Sequence, residues 1–88
     1  MNERDRSLLG HMLTYARRAQ RALGSQSLDD LLADEKSQLA VERAIEIVGE
    51  AARKVSDEAK APIDLPWEAI IHTRHILAHG YVSIDYRI

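Results

Sequence analysis

The sequence predicts an all-α protein, an up-and-down antiparallel helical bundle in which residues 1–88 form a single domain. Apolar residues recur at helical spacing along almost the whole chain. The segments between these stretches are short, which favours antiparallel neighbours. No alternating run is long enough to compete as a strand. A domain of 88 residues buries a modest share of its surface, so association with a second copy is a plausible source of stability.

The first helix is predicted from about Glu3 to Leu23. Asn2 suits the N-cap, and Gly24 suits the position after the last turn, where a left-handed backbone favours glycine. One apolar stripe follows this helix at a 4-3-4-4 spacing: Leu8, Met12, Tyr15, Ala19 and Leu23. We expect the stripe to face the core.

A short helical turn over residues 28–33, capped by Ser27, is predicted to precede a longer helix over residues 34–55. The longer helix carries two adjacent apolar stripes: Val41, Ile45, Val48, Ala52 and Val55, and beside them Ala40, Ala44, Ile47 and Ala51. The second stripe is mostly alanine and would let another helix approach closely. Two interpretations stay open, a surface for self-association and a single core served by both stripes.

Residues 57–65 include Pro62 and lack periodicity, so they are predicted to form a turn or loop. Pro66 suits the first position of the next helix, where its missing N–H costs nothing. That helix is expected to end near Gly80. Residues 82–88 alternate weakly and fit either the start of a helix or a short extended tail.

Composition excludes several classes of function. The chain has no cysteine, which removes disulfides, thiolate zinc sites and cysteine nucleophiles. The polar N-terminus and the lack of a long apolar run lead us to expect a cytoplasmic protein without a membrane span. The net charge of −2 gives no general argument for nucleic-acid binding. Residues 1–24, however, contain five arginines and only two carboxylates, so this segment could attract phosphate.

Chemistry-bearing side chains concentrate in residues 72–81, which read HTRHILAHGY. His72, His75 and His79 lie along one helix face, a spacing that suggests metal ligands. A straight helix cannot wrap all three around one ion, however, because the first and third are two turns apart. We therefore expect no metal site and no cofactor.

Arg74 and His79 suit acid–base chemistry on RNA. A histidine can take the proton of a ribose 2′-hydroxyl, and a fixed cation can stabilise charge on the adjacent phosphate. Positions five apart differ by roughly 140° around a helix. Three arrangements would overcome this difference: the long Arg74 side chain wraps, the helix end re-aims His79, or two chains converge in a dimer.

The spacing Arg74-x4-His79-x-Tyr81 matches the R-x4-H-x-Y signature of HEPN-domain proteins. The chain resembles the HepT-like branch in particular, through LPW at 65–67, RHILAHGY at 74–81 and AIEIVGEAA at 44–52. The resemblance covers nearly the whole chain, and the longer motifs make it more specific than R-x4-H alone.

The resemblance implies a homodimeric helical bundle that acts as a metal-independent ribonuclease toxin. Its implied partners are RNA, as substrate, and a minimal nucleotidyltransferase antitoxin. By matching positions, Arg74 and His79 would be catalytic, and Tyr81 would be the residue that the antitoxin adenylylates. His75 stands where a small polar residue is common in the family, and we regard it as an auxiliary acid–base group.

Two alternatives accompany this prediction. The same fold would serve as a non-catalytic module that binds a nucleotidyltransferase partner or a nucleotide, which the acidic net charge fits slightly better. Family members also continue past the tyrosine into a long final helix, whereas this sequence stops at Ile88. We therefore expect either a fragment or a member without that helix, with apolar surface exposed unless a partner covers it.

Overall fold

The computed structural model describes residues 1–79, except for the side chains of Ala78 and His79. Every regular element in this part of the chain is helical: α1 (Glu3–Leu23), α2 (Leu28–Leu32), α3 (Glu35–Lys54), α4 (Asp57–Lys60) and α5 (Trp67–His79). The predicted all-α class is confirmed. Across residues 1–79, no helix combines the length and the apolar character that a membrane crossing requires.

The bounds of α1 are those predicted. The Asn2 side chain accepts a hydrogen bond from the backbone N–H of Asp5 at 2.7 Å. At the other end Gly24 has a φ of +57°, in the left-handed region that favours glycine. The predicted stripe is buried at Met12 and partly buried at its neighbours, but Leu23 is exposed.

Helix α3 is the centre of the bundle, because both α1 and α5 pack against it. Asp5, at the start of α1, bonds to Ser56, just beyond the end of α3, so these two helices are antiparallel. Trp67, at the start of α5, packs in the cluster that contains Val55, while Arg74 lies beside Gly49. Helix α5 is therefore also antiparallel to α3, and the predicted up-and-down arrangement is confirmed.

The prediction of a loop over residues 57–65 was wrong for its first part, where α4 forms one helical turn. Ser56 caps this turn by accepting a hydrogen bond from the N–H of Ala59 at 3.2 Å. A four-residue helix is too short to show apolar periodicity, so its cap was the available signal. The short turn after Ser27 was predicted correctly, with a capping box between Ser27 and Asp30.

Helix α5 begins at Trp67, one residue later than predicted. The carbonyl of Pro66 accepts the N–H of Ile70 at 3.0 Å, so the proline precedes the first turn. The indole N–H of Trp67 donates to the carbonyl of Ile63 at 3.2 Å, which ties the preceding loop to the helix. The predicted end near Gly80 and the weakly alternating residues 82–88 lie outside the described residues.

The core of the described bundle is built from small side chains. Its buried apolar residues are Met12, Leu31, Val41, Ala44, Ala51, Ala52, Val55 and Ala59. Ala44 and Ala51 come from the alanine stripe of α3, so at these two positions the stripe serves the domain's own core, whereas Ala40 is exposed. Small residues let the helices approach closely, but they bury little apolar surface.

Apolar surface also remains uncovered in this part of the chain. An apolar groove of about 380 Å³ lies between α1 and α5, and Val48 and Ile70 are among the residues that line it. Several large apolar side chains are exposed elsewhere: Leu13, Leu28, Leu32, Leu39, Leu65 and Ile76. Exposed apolar area of this kind is typical of a surface that meets another chain.

Candidate functional site

Arg74 lies against the backbone of α3 because position 49 is glycine. A Cβ atom at Gly49 would overlap the Cβ of Arg74, and it would lie 2.9 Å from the Cγ of Arg74. It would also lie 3.1 Å from the backbone oxygen of Ile70. Any side chain at position 49 would therefore push α5 or Arg74 away. This close approach leaves the Arg74 side chain 23% exposed.

The guanidinium of Arg74 is paired with a carboxylate of α3. Its Nε atom lies 3.0 Å from Oε2 of Glu50, and both atoms are shielded from solvent. The N–H direction does not meet the carboxylate oxygen at a hydrogen-bonding angle, so the attraction is ionic rather than a formed hydrogen bond. Glu50 thus fixes the position of the Arg74 charge on the side of α5 that faces α3.

Glu50 also attracts two cations of its own helix. Arg53 donates a hydrogen bond from Nη2 to its Oε1 at 2.8 Å, and Nζ of Lys54 lies 3.5 Å from the same oxygen. The hydrogen bond from Arg53 lowers the pKa of Glu50, and the charges of Arg53, Arg74 and Lys54 act in the same direction against partial burial. The carboxylate is therefore ionised at neutral pH.

Arg74 and Glu50 line a cleft of about 330 Å³ between α1, α3 and α5. Its other described lining residues combine apolar, basic and acidic groups: Leu8, His11, Arg43, Glu46, Ile47, Ala51 and Lys54. The volume is at the lower end of the range for small-molecule sites. Among these lining residues the permanent cations outnumber the carboxylates by one, so the cleft tolerates an anion better than the whole chain's charge suggests.

The structure supplies only part of the residue set that the sequence predicted. Helix α5 is continuous from Arg74 to His79, so the two positions differ by roughly 140° around its axis. The side chain of His79 and the whole of Tyr81 lie outside the described residues. His75 is exposed and does not line the cleft. How Arg74, His79 and Tyr81 meet therefore stays a prediction.

The metal interpretation of the histidine run gains no support. Among the side chains that the structure describes, no three of the types histidine, cysteine, aspartate and glutamate converge to hold an ion. His72 and His75 are both exposed on α5.

The reasoning from sequence missed Glu50 and the part of the cleft formed by α1. Glu50 lies in the AIEIVGEAA segment, so it was noticed as part of a motif but given no role. Its partner Arg74 is far away in sequence, and no helical spacing connects them. His11 was likewise missed, because it is a single histidine in a helix otherwise interpreted for its apolar stripe.

Comparison with known proteins adds independent information. A family model described as "HepT-like: Ribonuclease HepT-like" matches residues 12–88. The chain is 38% identical over 61 residues to "Probable ribonuclease HepT" of Thermococcus cleftensis, a match that covers 68% of this chain and 56% of that protein. It is 36% identical over 64 residues to "Putative RNase MJ0127" of Methanocaldococcus jannaschii, covering 70% of this chain and 52% of that protein.

The matched segments cover a larger share of this chain than of the two relatives. The chain spans little more than half of the length of each of these two relatives. No solved structure matches the chain.

Proposed function

This chain belongs to the HepT-like ribonuclease family, and we propose that it is a metal-independent endoribonuclease toxin that cleaves RNA with Arg74 and His79. One observation carries the proposal beyond family membership. The family's arginine position is occupied by a side chain that is held at a cleft by Gly49 and Glu50. These two contacts keep a permanent positive charge at the cleft, and stabilisation of a phosphoryl group requires such a charge.

The proposed reaction is a transesterification within RNA. The ribose 2′-oxygen attacks the adjacent phosphorus while His79 takes the 2′-hydroxyl proton. The bond from phosphorus to the 5′-oxygen breaks, and that oxygen takes a proton from a water molecule as it leaves. The products are a 2′,3′-cyclic phosphate and a 5′-hydroxyl. Arg74 stabilises the negative charge that accumulates on the phosphoryl oxygens, so the reaction requires no metal ion.

A homodimer would place two such segments in one cleft. The exposed apolar side chains and the apolar groove between α1 and α5 support association. Because Arg74 and His79 are five positions apart on one helix, a second copy would also supply the pair from two chains.

A minimal nucleotidyltransferase antitoxin is proposed as the regulatory partner. Adenylylation of the Tyr81 hydroxyl would add a bulky, negatively charged nucleotide beside the active site. That group would occupy the space of the substrate and repel its phosphates.

A non-catalytic binding module is the second candidate, and the net charge of −2 favours it. In that case Arg74 would hold a phosphate of a nucleotide, or a group of the nucleotidyltransferase, without cleavage. The same experiment separates the two candidates.

The experiment is RNA cleavage in excess EDTA by the parent protein, Arg74→Ala and His79→Ala. We expect the parent to cleave and both variants to lose at least about a hundredfold in rate, the usual range for a lost acid–base or charge-stabilising group. Arg74→Lys keeps the charge but not the planar fork, and we expect it to recover only part of the activity. Thermal unfolding of each variant controls for loss of the fold.

The outcomes separate the candidates as follows. Loss of parent activity in EDTA would refute the metal-independent mechanism. If none of the proteins cleaves and the intact mass shows an unmodified Tyr81, the binding module is favoured. An added nucleotide mass would instead identify a blocked toxin.

A further inference from the structure

The Glu50 carboxylate makes two kinds of ionic contact that differ in environment. Its partners Arg53 and Lys54 are 53% and 46% exposed and lie one turn further along α3. Exposed pairs of this type contribute little to stability, because solvent and salt screen them. The contact with Arg74 joins two helices through atoms that solvent does not reach. It is therefore the contact through which Glu50 has the largest structural effect.

The ionic contact involves one particular nitrogen of the Arg74 guanidinium. A guanidinium has one N–H on Nε and four on its two terminal nitrogens. Glu50 faces Nε, and within the described part of the chain no other ion pair or hydrogen bond of Arg74 occurs. The terminal nitrogens form the fork that matches two phosphate oxygens, and the residue that carries them lines the cleft.

Gly49 and Glu50 act on adjacent parts of the same side chain. Gly49 leaves room for the Cβ and Cγ atoms of Arg74, and Glu50 attracts the Nε atom beyond them. Arginine has a long side chain with many rotamers, and freezing it during the reaction would cost rate. Two contacts from one turn of α3 reduce this cost by ordering the side chain in advance.

We propose that Glu50 is a positioning residue for catalysis, which orients Arg74 so that its terminal nitrogens meet the phosphate at which RNA is cleaved. This inference rests on the proposed ribonuclease function. Glu50 acts through Arg74 and does not touch the reacting atoms.

A different role for Glu50, as the general base, is less consistent with its surroundings. The hydrogen bond from Arg53 lowers its pKa, and the neighbouring cations reinforce that effect. A carboxylate stabilised in its ionised form is a weaker base. The same cations offset its charge, so it does not repel a phosphate in the cleft as an isolated carboxylate would.

The test replaces Glu50 by glutamine, which keeps the shape of the side chain and removes its charge. In excess EDTA we expect the kcat of Glu50→Gln to fall about tenfold or more, the effect of a misplaced catalytic group, while KM stays within about threefold. Glu50→Asp retains the charge and should recover part of kcat. In nitrogen-15 NMR spectra, the Nε–H signal of Arg74 should exchange with water faster in Glu50→Gln than in the parent.

Two matched variants control for general effects. Arg53→Ala removes the surface partner of Glu50 but leaves the pair with Arg74, and Glu42→Gln removes one charge of α3 away from the cleft. Both should keep kcat near that of the parent. Equal losses in Glu50→Gln and in these controls would overturn the proposal, as would an unchanged Arg74 Nε–H signal.

The NMR signal also separates this proposal from the proposed function. If the parent protein cleaves no RNA, the ribonuclease proposal fails. In that case faster exchange in Glu50→Gln alone still supports the orientation of Arg74 by Glu50, and unchanged exchange contradicts it.

Discussion

Gly49 is the residue at which the geometry of the site is most sensitive to a single atom. We expect Gly49→Ala to displace Arg74, because the new Cβ would overlap the Cβ of Arg74 and crowd the backbone of Ile70. The crowding should destabilise the fold by about 1–3 kcal/mol, less about 1 kcal/mol from the better helix preference of alanine. RNA cleavage should fall by about tenfold or more, since Arg74 moves. Thermal unfolding and cleavage rates measure both effects.

Gly10 provides the matched control within the same chain. It also lies inside a helix, but a Cβ at this position would meet nothing within 4 Å. Gly10→Ala should therefore stabilise the protein by about 1 kcal/mol and leave cleavage unchanged. Should both alanine variants behave alike, the steric account of Gly49 is wrong.

At the residue scale, the sequence could predict the type of chemistry but not the contacts that organise it. Arg74 was identified from its motif and its residue type. The glycine and the carboxylate that hold it, Gly49 and Glu50, lie on another helix, and their roles depend on how closely α3 and α5 approach. That distance is set by packing along both helices, which no local pattern encodes.

At the scale of elements, Asp5 connects the start of α1 to the start of α4. Asp5 is 4% exposed, and its carboxylate accepts hydrogen bonds from the backbone N–H of Ser56 at 2.9 Å and from the hydroxyl of Ser56 at 2.7 Å. The same hydroxyl accepts the N–H of Ala59 and so caps α4. One serine thereby fixes the turn after α3 and the entry of α1.

These bonds predict a pH dependence of stability. The backbone hydrogen bond from Ser56, followed by the hydroxyl bond, lowers the pKa of Asp5 from its ordinary value of 3.8. A lowered folded-state pKa means that the stabilisation is complete above pH 3.8 and is lost as the pH falls further. Asp5→Asn should therefore have a lower Tm than the parent at pH 6, and the difference should shrink at pH 3.

Exposed Asp64 offers the matched control for this experiment. Asp64→Asn should keep the parent's dependence of Tm on pH. Part of that dependence should also persist in Asp5→Asn, because a hydrogen bond from Ser37 lowers the pKa of Asp34 as well. An acid-induced loss of Tm that is as large in Asp5→Asn as in the parent would exclude the proposed link.

The three long helices could be predicted because each repeats an apolar pattern over several turns. Asp5 shows the limit of this reasoning. An acidic residue in the first turn of a helix ordinarily indicates only a charge favourable to the helix start, whereas Asp5 continues the buried stripe one turn before Leu8. Helix α4 shows another limit, since four residues carry no period and only Ser56 indicated its start.

At the scale of the whole molecule, the described bundle has a core of small residues and an uncovered apolar groove. A fold of this kind gains stability when a second copy covers apolar surface. We expect the Tm to rise with protein concentration, because folded chains that associate are stabilised by mass action. Analytical ultracentrifugation of the folded protein should show a dimer at micromolar concentration. Leu13 is an exposed apolar residue of α1 near the apolar groove. Leu13→Glu places a charge there and should therefore weaken this association. Glu68→Gln, a change at an exposed charged position, is the control. A Tm independent of concentration would argue for a monomer.

The chemical nature of the cleavage ends tests the central claim most directly. The parent protein is incubated with RNA in excess EDTA, and the fragment ends are identified by mass spectrometry and by labelling with polynucleotide kinase. The account predicts 2′,3′-cyclic phosphate and 5′-hydroxyl ends, because a 2′-oxygen attacks the phosphorus with help from His79 and Arg74. Fragments with 3′-hydroxyl and 5′-phosphate ends, or cleavage that requires a metal ion, would contradict it.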